Sequence, residues 1–472
     1  MSIQEQEGGK KLLEVRSIDY IPESERHGSL WSQFTLWFGA NLQITAIVVG
    51  AIPVVLGADV FWSIIGLFIG QVFGGAVMAL HGAQGPQLGL PQMISSRVQF
   101  GVYGAVIPIV LVCMMYIGFS ASGSVLAGQA IGKLAGVNDD MGILIFGALI
   151  IAFTIVGYKL IHLIGKIATI LGILTFCYMF YRLMTQYDIG ALLSIREFSW
   201  KYFLFSVSLA ASWQIAFGPY VADYSRYLPR NTSKVKVFFA VGSGTVIGTQ
   251  ISMIFGVLAA AQIGGSNFRH HEIEYIVGLS AVGLVASLLY LSIAFGKVVI
   301  TTLNAYGSFM SMATIVSGFR GNAQISQKMR LFYIFIMVGM SVLLAILGRG
   351  EFLNNFTSFL GFLLTFFTPW SAINLVDYYW VTKERYDVPA LSDPNGRYGK
   401  WNMIGISTYF VGVLVQIPFM DTGFYSGFLL NSVMHGVDIS WIIGLIIPAI
   451  LYYVLTKKYV NNVPEQLILP KE

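Results

Sequence analysis

Apolar runs of about 18 or more residues, each long enough to cross a bilayer, recur along nearly the whole chain. Their alternation with short polar segments predicts spans near 32–56, 59–80, 100–132, 141–158, 164–185 and 200–225. Further spans are expected near 236–263, 284–314, 329–347, 353–379, 402–420 and 440–456. The stretch from Phe268 to Gly283 reads as a loop carrying a short helix on the membrane surface. Two spans have helix-breaking composition in comparable places. The first contains "WFGANLQITA", with Gly39, Asn41, Gln43 and Thr45 in an apolar setting; the sixth contains "WQIAFGPYVADYSRY", with Gly218 and Pro219. Proline removes a backbone donor and disfavours helix at the residue before it. Inside a bilayer the freed groups need protein or a wet cavity to satisfy them. Breaks in the first and sixth spans suggest two inverted five-span halves around a midplane site. Simple helix packing is the competing reading of such residues, as in "GQVFGG" from Gly70 to Gly75.

The eighth span is the anomaly. Lys297 stands near the middle of an apolar run, in "SIAFGKVVITTLNAYGS", followed by Thr301, Thr302, Asn304 and Tyr306. Polar groups at that depth are costly against lipid, so they should face a bundle interior. That favours a substrate cavity over packing alone.

Composition agrees with the pattern: 56% of residues are hydrophobic and 11% charged, against roughly 25% charged in an ordinary soluble domain. This is an all-α polytopic membrane protein. The net charge of +5 is spread over separate loops, which is no nucleic-acid footprint. With the amino terminus inside, 21 of the 28 Lys and Arg residues fall in inner segments. Outer segments hold Lys133, Arg182, Arg196, Lys201, Arg269 and Arg349, and Lys297 alone remains. A one-span shift would reverse this asymmetry, so both termini are expected to be cytoplasmic. The first thirty residues lack the pattern of a removable signal peptide, and the first span should direct insertion. Cys113 and Cys177 both lie in apolar runs and imply no disulfide framework.

Trp31, Trp62, Trp200, Trp370, Trp380, Trp401 and Trp441 fall near span ends and read as interfacial anchors. Trp213 lies well inside the sixth span and Phe119 at comparable depth in the third. Each is either packing or a ligand wall. No histidine pair sits one turn apart inside a span, and no glycine loop precedes a lysine and hydroxyl residue. No metal or cofactor is therefore expected, and a membrane-embedded enzyme or an ATP-driven pump is disfavoured. A channel stays open until uptake is tested for saturation and gradient dependence.

Five stretches carry a family resemblance: "GPYVADYSRYLPRNTS", "WFGANLQ", "GLPQMISSRVQFGVYGA", "GFSASGSVLAGQAI" and "GYKLIHLIGK". Together they make the chain similar to nucleobase–cation symporter family 1, in its purine–cytosine permease branch. The resemblance implies about twelve transmembrane helices: a five-plus-five inverted repeat with broken first and sixth helices and two extra C-terminal helices. The expected segments are a cytoplasmic tail at 1–31, repeats at 32–185 and 200–379, extra helices at 402–456 and a tail at 457–472. The implied function is uptake across the cell membrane of a nucleobase, such as cytosine or a purine, or a related planar heterocycle. Sodium-coupled transport of allantoin, a hydantoin or a vitamin-like pyrimidine is the alternative.

The resemblance also suggests site residues. Phe119 and Trp213 would sandwich the ring, while Asn41, Gln43, Thr301 and Asn304 would read its edges. Two departures stand out. Phe119 replaces a tryptophan common in the family, and Ser122 and Gly123 stand where many relatives carry a side-chain amide, which weakens a claim on cytosine. The "ADYSRY" segment reads as a structural element at the cytoplasmic end, with Asp223 and Arg226 able to pair one turn apart. Where sodium-coupled relatives supply hydroxyls on the eighth span, this chain has Leu291, Ser292, Ala294 and Phe295. An ammonium can take that cation position, so proton coupling through Lys297 is expected.

Overall fold

The computed structural model describes residues 18–156, 158–321, 327–423, 425–434, 436–459 and 463–470. Lys10, Lys11, Arg16, His435, Lys471 and much of both expected tails lie outside these residues. The long helices fall where the apolar runs predicted them. In the first half they are α1 (Leu30–Asn41), α2 (Ile44–Val55), α3 (Val60–Gly82), α4 (Gln92–Phe100), α5 (Val106–Ala135), α6 (Asp139–Val156) and α7 (Tyr158–Gln186). The second half adds α8 (Trp200–Ile215), α9 (Ala222–Ser225), α10 (Lys234–Ile263), α11 (Glu272–Gly278), α12 (Gly283–Arg320), α13 (Gln327–Gly348) and α14 (Phe352–Val376). Two more follow, α15 (Met403–Leu414) and α16 (Ser440–Tyr459). Six spans among the described residues pass as membrane-crossing by length and hydropathy, or seven if the bent pair α1–α2 is one.

Both expected breaks are present. Ser29 opens α1 with a reciprocal cap, its hydroxyl accepting from Ser32 N at 3.1 Å and its N–H donating to Ser32 Oγ at 3.1 Å. The helix stops after Asn41, and α2 departs at 56°. Carbonyls freed by such a stop need donors. Asn41 Nδ2 serves Trp37 O at 2.7 Å, Gln43 Nε2 serves Ala40 O at 2.8 Å, and Ser252 Oγ of α10 serves Asn41 O at 2.7 Å. The break is thus closed by amide side chains that an ordinary apolar span would lack. In the sixth span, α8 ends at Ile215 and a 3-10 turn over Gly218–Tyr220, containing Pro219, separates it from α9.

Close backbone approach holds the broken helices in place. Gly66 and Gly74 of α3 lie against carbonyls of α8, where an added Cβ would come within 2.8 Å of Phe203 O and 2.7 Å of Ala211 O. Gly70 meets Val207 O in the same way. The expected glycine packing face is real, and it binds α3 to the sixth span. Gly244 and Gly248 of α10 sit as tightly on the Phe34 and Phe38 carbonyls of α1.

Two tryptophans depart from their expected interfacial role. Trp370 is fully buried; it stacks on His81 with ring centroids 4.7 Å apart, and its Nε1 donates to Ser96 Oγ at 3.0 Å. Trp441 is buried and donates to Ser208 Oγ at 2.9 Å. Both sit at span ends that other helices cover, so an aromatic belt position in sequence became packing in space. Trp31, Trp200, Trp380 and Trp401 are exposed, as anchors should be. Arg226 belongs to the segment that reads as a structural element at the cytoplasmic end. It is buried, and its Nε donates to the Asp223 carbonyl at 3.2 Å, while Asp223 Oδ1 accepts from Gln92 N at 2.8 Å.

On the opposite face, α11 forms the expected short helix between the seventh and eighth spans, and Glu272 fastens it to α5. Its Oε2 accepts from Gln129 Nε2 at 2.8 Å and its Oε1 from His270 N at 3.1 Å. Burial pushes this carboxyl above its ordinary value of 4.5, against the opposing pull of those hydrogen bonds. A raised folded-state value means that the folded protein binds the proton more tightly than the unfolded chain. Its stabilising contribution is therefore complete below about pH 4.5 and fades as pH rises through the folded value. Glu272→Gln, which cannot ionise, should gain thermal stability relative to wild type as pH rises above about 4.5. Parallel melting curves across that range would show that Glu272 carries no such linkage.

Candidate functional site

The site is built where α12 passes the break of the first span. On α12, Lys297, Thr301 and Asn304 fall at i, i+4 and i+7 and so share one face. Lys297 is 3% exposed. Its Nζ donates to Thr45 Oγ1 at 2.6 Å and to Gln43 Oε1 at 3.2 Å, both at the amino-terminal end of α2. No carboxylate pairs with it among the described residues. A buried cation without a counter-ion is costly, which makes Lys297 the candidate functional group at the break.

Gly123 of α5 makes the room. A Cβ there would come within 2.8 Å of Lys297 Cε, 3.2 Å of its Nζ and 3.4 Å of Thr301 Oγ1. Thr301 is buried, and its hydroxyl has no hydrogen-bond partner among the described residues. Thr302, by contrast, donates back to Val298 O at 2.8 Å and is spent locally. Asn304 is half-buried and its amide has no hydrogen-bond partner among the described residues.

The aromatic pair lies beside this cluster, because Phe119 is one turn before Gly123 on the same face of α5. Trp213 is buried at the carboxyl end of α8. The two rings meet edge to face, with centroids 5.8 Å apart and planes at 83°, and Phe119 also meets Phe359 edge to face at 5.3 Å. The parallel walls expected from the sequence are therefore not the arrangement found. Edge-to-face contact suits the ring quadrupoles when nothing lies between them, and separating the pair requires Phe119 to swing.

Asn41 and Gln43 turn out to be occupied by the protein itself. Asn41 Oδ1 accepts from Trp213 Nε1 at 2.8 Å, and its Nδ2 reaches Thr245 Oγ1 at 3.0 Å as well as Trp37 O. Thr245 in turn donates to Gln214 Oε1 at 2.6 Å, and Gln214 Nε2 reaches Thr249 Oγ1 at 3.1 Å and Gln71 Oε1. This buried chain fixes the indole from behind and ties the first and sixth spans to α3 and α10. Asn41 is thus a support of the Trp213 wall. Gln43 divides itself between Ala40 O and the Lys297 ammonium.

Several of these participants are not marked as such by the sequence. Thr245, Thr249, Gln214 and Gln71 were visible only as polar residues inside apolar runs, and nothing in one dimension says that they join. Asp377, at the end of α14, was visible in the same way. Its carboxylate accepts from Gln99 Nε2 at 2.8 Å, Tyr386 OH at 2.7 Å and Tyr452 OH at 2.9 Å. The hydroxyl in the stretch from Leu291 to Phe295 is also accounted for, since Thr175 Oγ1 donates to Ser292 Oγ at 2.7 Å.

Comparison with known proteins places this geometry. Residues 20–444 match the family described as permease for cytosine/purines, uracil, thiamine, allantoin. A Bacillus subtilis protein, YxlA, provisionally named a purine-cytosine permease, is 39% identical over 94% of this chain and 96% of its own. The purine-cytosine permease fcyB of Emericella nidulans is 26% identical over 78% of this chain and 73% of its own. Among solved structures, inward-facing Mhp1 superposes with a TM-score of 0.78 at 17% identity, covering 98% of this chain and 100% of that one. Mhp1 closed on bromovinylhydantoin, described as a nucleobase-cation-symport-1 family transporter, gives 0.74 over 96% and 97%.

Proposed function

Because this chain belongs to the permease family for cytosine/purines, uracil, thiamine and allantoin, we propose that it imports a nucleobase or closely related planar heterocycle by proton symport. It is a multi-pass membrane transporter and not an enzyme. The single observation that carries the coupling claim is the Lys297 ammonium, buried without a carboxylate and bonded across the break of the first span. A proton gained or lost there changes the tie between α12 and α2, which is a direct way to bias one orientation of the broken helices. The fold likeness to Mhp1 supports the reading of two inverted five-helix repeats, 32–185 and 200–379, followed by two further helices at 402–456. We place it in the cell membrane, and the distribution of Lys and Arg supports an orientation with both termini cytoplasmic.

In this reading the substrate ring enters between Phe119 and Trp213 after Phe119 swings, and Thr301 and Asn304 meet its edge. Purified protein screened by thermal shift against cytosine, purines, uracil, allantoin, hydantoins and vitamin-like pyrimidines identifies the ring. Asn304→Ala and Thr301→Val should then reorder the ranking of ligands, because discrimination depends on which edge atoms stay unpaired. Uniform weakening of every ligand would assign the two residues to helix packing.

A further inference from the structure

We infer that Lys297 and Thr301 form an acceptor-seeking end of the substrate site, selecting a heterocycle that turns a carbonyl or ionised lactam edge towards them. The inference rests on the functional reading above and names the class of ring that it leaves open. Three observations converge. The ammonium spends two N–H groups, on Thr45 Oγ1 at 2.6 Å and Gln43 Oε1 at 3.2 Å, and the third has no acceptor among the described residues. The Thr301 hydroxyl, in a side chain 3% exposed, has no partner either. Both face the point where Gly123 lacks a side chain, at 3.2 Å for Nζ and 3.4 Å for Oγ1 from where a Cβ would stand. That point lies one turn along α5 from Phe119, so it borders the edge of any ring seated against that aromatic.

The α1 carbonyls of Ala40 and Asn41 at the break are already taken by Gln43 Nε2 and Ser252 Oγ, which leaves the ammonium and the start of α2 to set the local preference. α2 begins at Ile44, and the amino-terminal end of a helix carries partial positive charge. An ammonium and a positive helix end directed at one space favour an oxygen or an anionic ring nitrogen. An exocyclic amino group would set N–H against N–H and leave both unpaired. A charge-assisted bond is about twice as strong as a neutral one. The protein supplies no carboxylate of its own at Lys297, so the ligand is the partner that completes the arrangement.

Binding of four compounds to the purified full-length protein by isothermal titration tests this. Hypoxanthine and adenine differ by oxo for amino on one skeleton, as do uracil and cytosine. Hypoxanthine should bind tighter than adenine, which has no carbonyl, by about tenfold or more, whereas cytosine can still offer its C2 carbonyl and should lose less against uracil. In Lys297→Met the hypoxanthine-to-adenine ratio should fall to within about threefold of unity. Gly123→Ala, which drives a methyl against Lys297 Cε, should narrow it as well and decides the matter if the methionine variant does not insert. Preference for the amino member, or an unchanged ratio in both variants, overturns the inference while leaving heterocycle transport standing. Failure of all four to bind overturns the inference, and the functional reading falls with it only if no other heterocycle of the thermal-shift panel binds.

Discussion

Trp213→Ala is expected to weaken substrate binding by about 2–3 kcal/mol, roughly 30- to 150-fold, the largest single-residue loss anticipated in this protein. In the proposed site the indole would offer one face to the ring, and truncation would remove both the stacking and the area that it covers. It also frees Asn41 Oδ1, which accepts from Trp213 Nε1 at 2.8 Å, and so loosens the chain through Thr245 and Gln214. Trp213→Phe separates these effects. It retains an aromatic face and loses the N–H, so its loss should be closer to the roughly 1 kcal/mol net of one hydrogen bond. Protein level in the membrane and melting temperature serve as controls, because Trp213 is 1% exposed and the alanine leaves a cavity. Wild-type affinity in a well-inserted Trp213→Ala protein would remove this residue from the site.

The second large effect concerns energy coupling. Lys297→Met and Lys297→Gln should retain counterflow exchange, assayed at substrate concentrations high enough to offset weaker binding, yet lose accumulation against a gradient. The neutral side chains fill the space beside Gly123 but carry no exchangeable proton. Exchange needs only the reorientation of a loaded site, whereas accumulation needs the proton to make one orientation more favourable than the other. Lys297→Arg keeps a charge that does not leave, and it too should exchange without accumulating. Proton-driven accumulation that survives intact in Lys297→Met would place the coupling group elsewhere, and Asp377 would be the first residue to examine.

The long helices and both breaks are legible in the sequence because bilayer thickness and backbone hydrogen bonding leave few alternatives. Lys297 was legible for the same reason, as a charge that lipid will not tolerate without purpose. What one dimension hid was partnership. Asn41 and Gln43 announced themselves as polar residues at a break and were read as ligand contacts, but the freed carbonyls, the Trp213 indole and the Lys297 ammonium claimed them first. Gly123 signalled only a missing side chain; its meaning as the space into which Lys297 reaches depends on how α5 and α12 cross. Trp370 matched the belt rule at its position and was overruled by α3 and α4, whose His81 and Ser96 enclose it. Phe119 and Trp213 do meet, and their other contacts are with Phe359 and Asn41, residues far away in the chain.

The central claim, that a proton gradient acting through this fold drives uptake of a planar heterocycle, is tested most directly by the wild-type protein in proteoliposomes. Sodium-free vesicles with an inward proton gradient should accumulate the radiolabelled heterocycle identified by the thermal-shift screen. Dissipating the gradient should return the internal concentration to equilibrium, and adding sodium should change neither result. Accumulation that requires a sodium gradient, and does not respond to the proton gradient, would contradict the account.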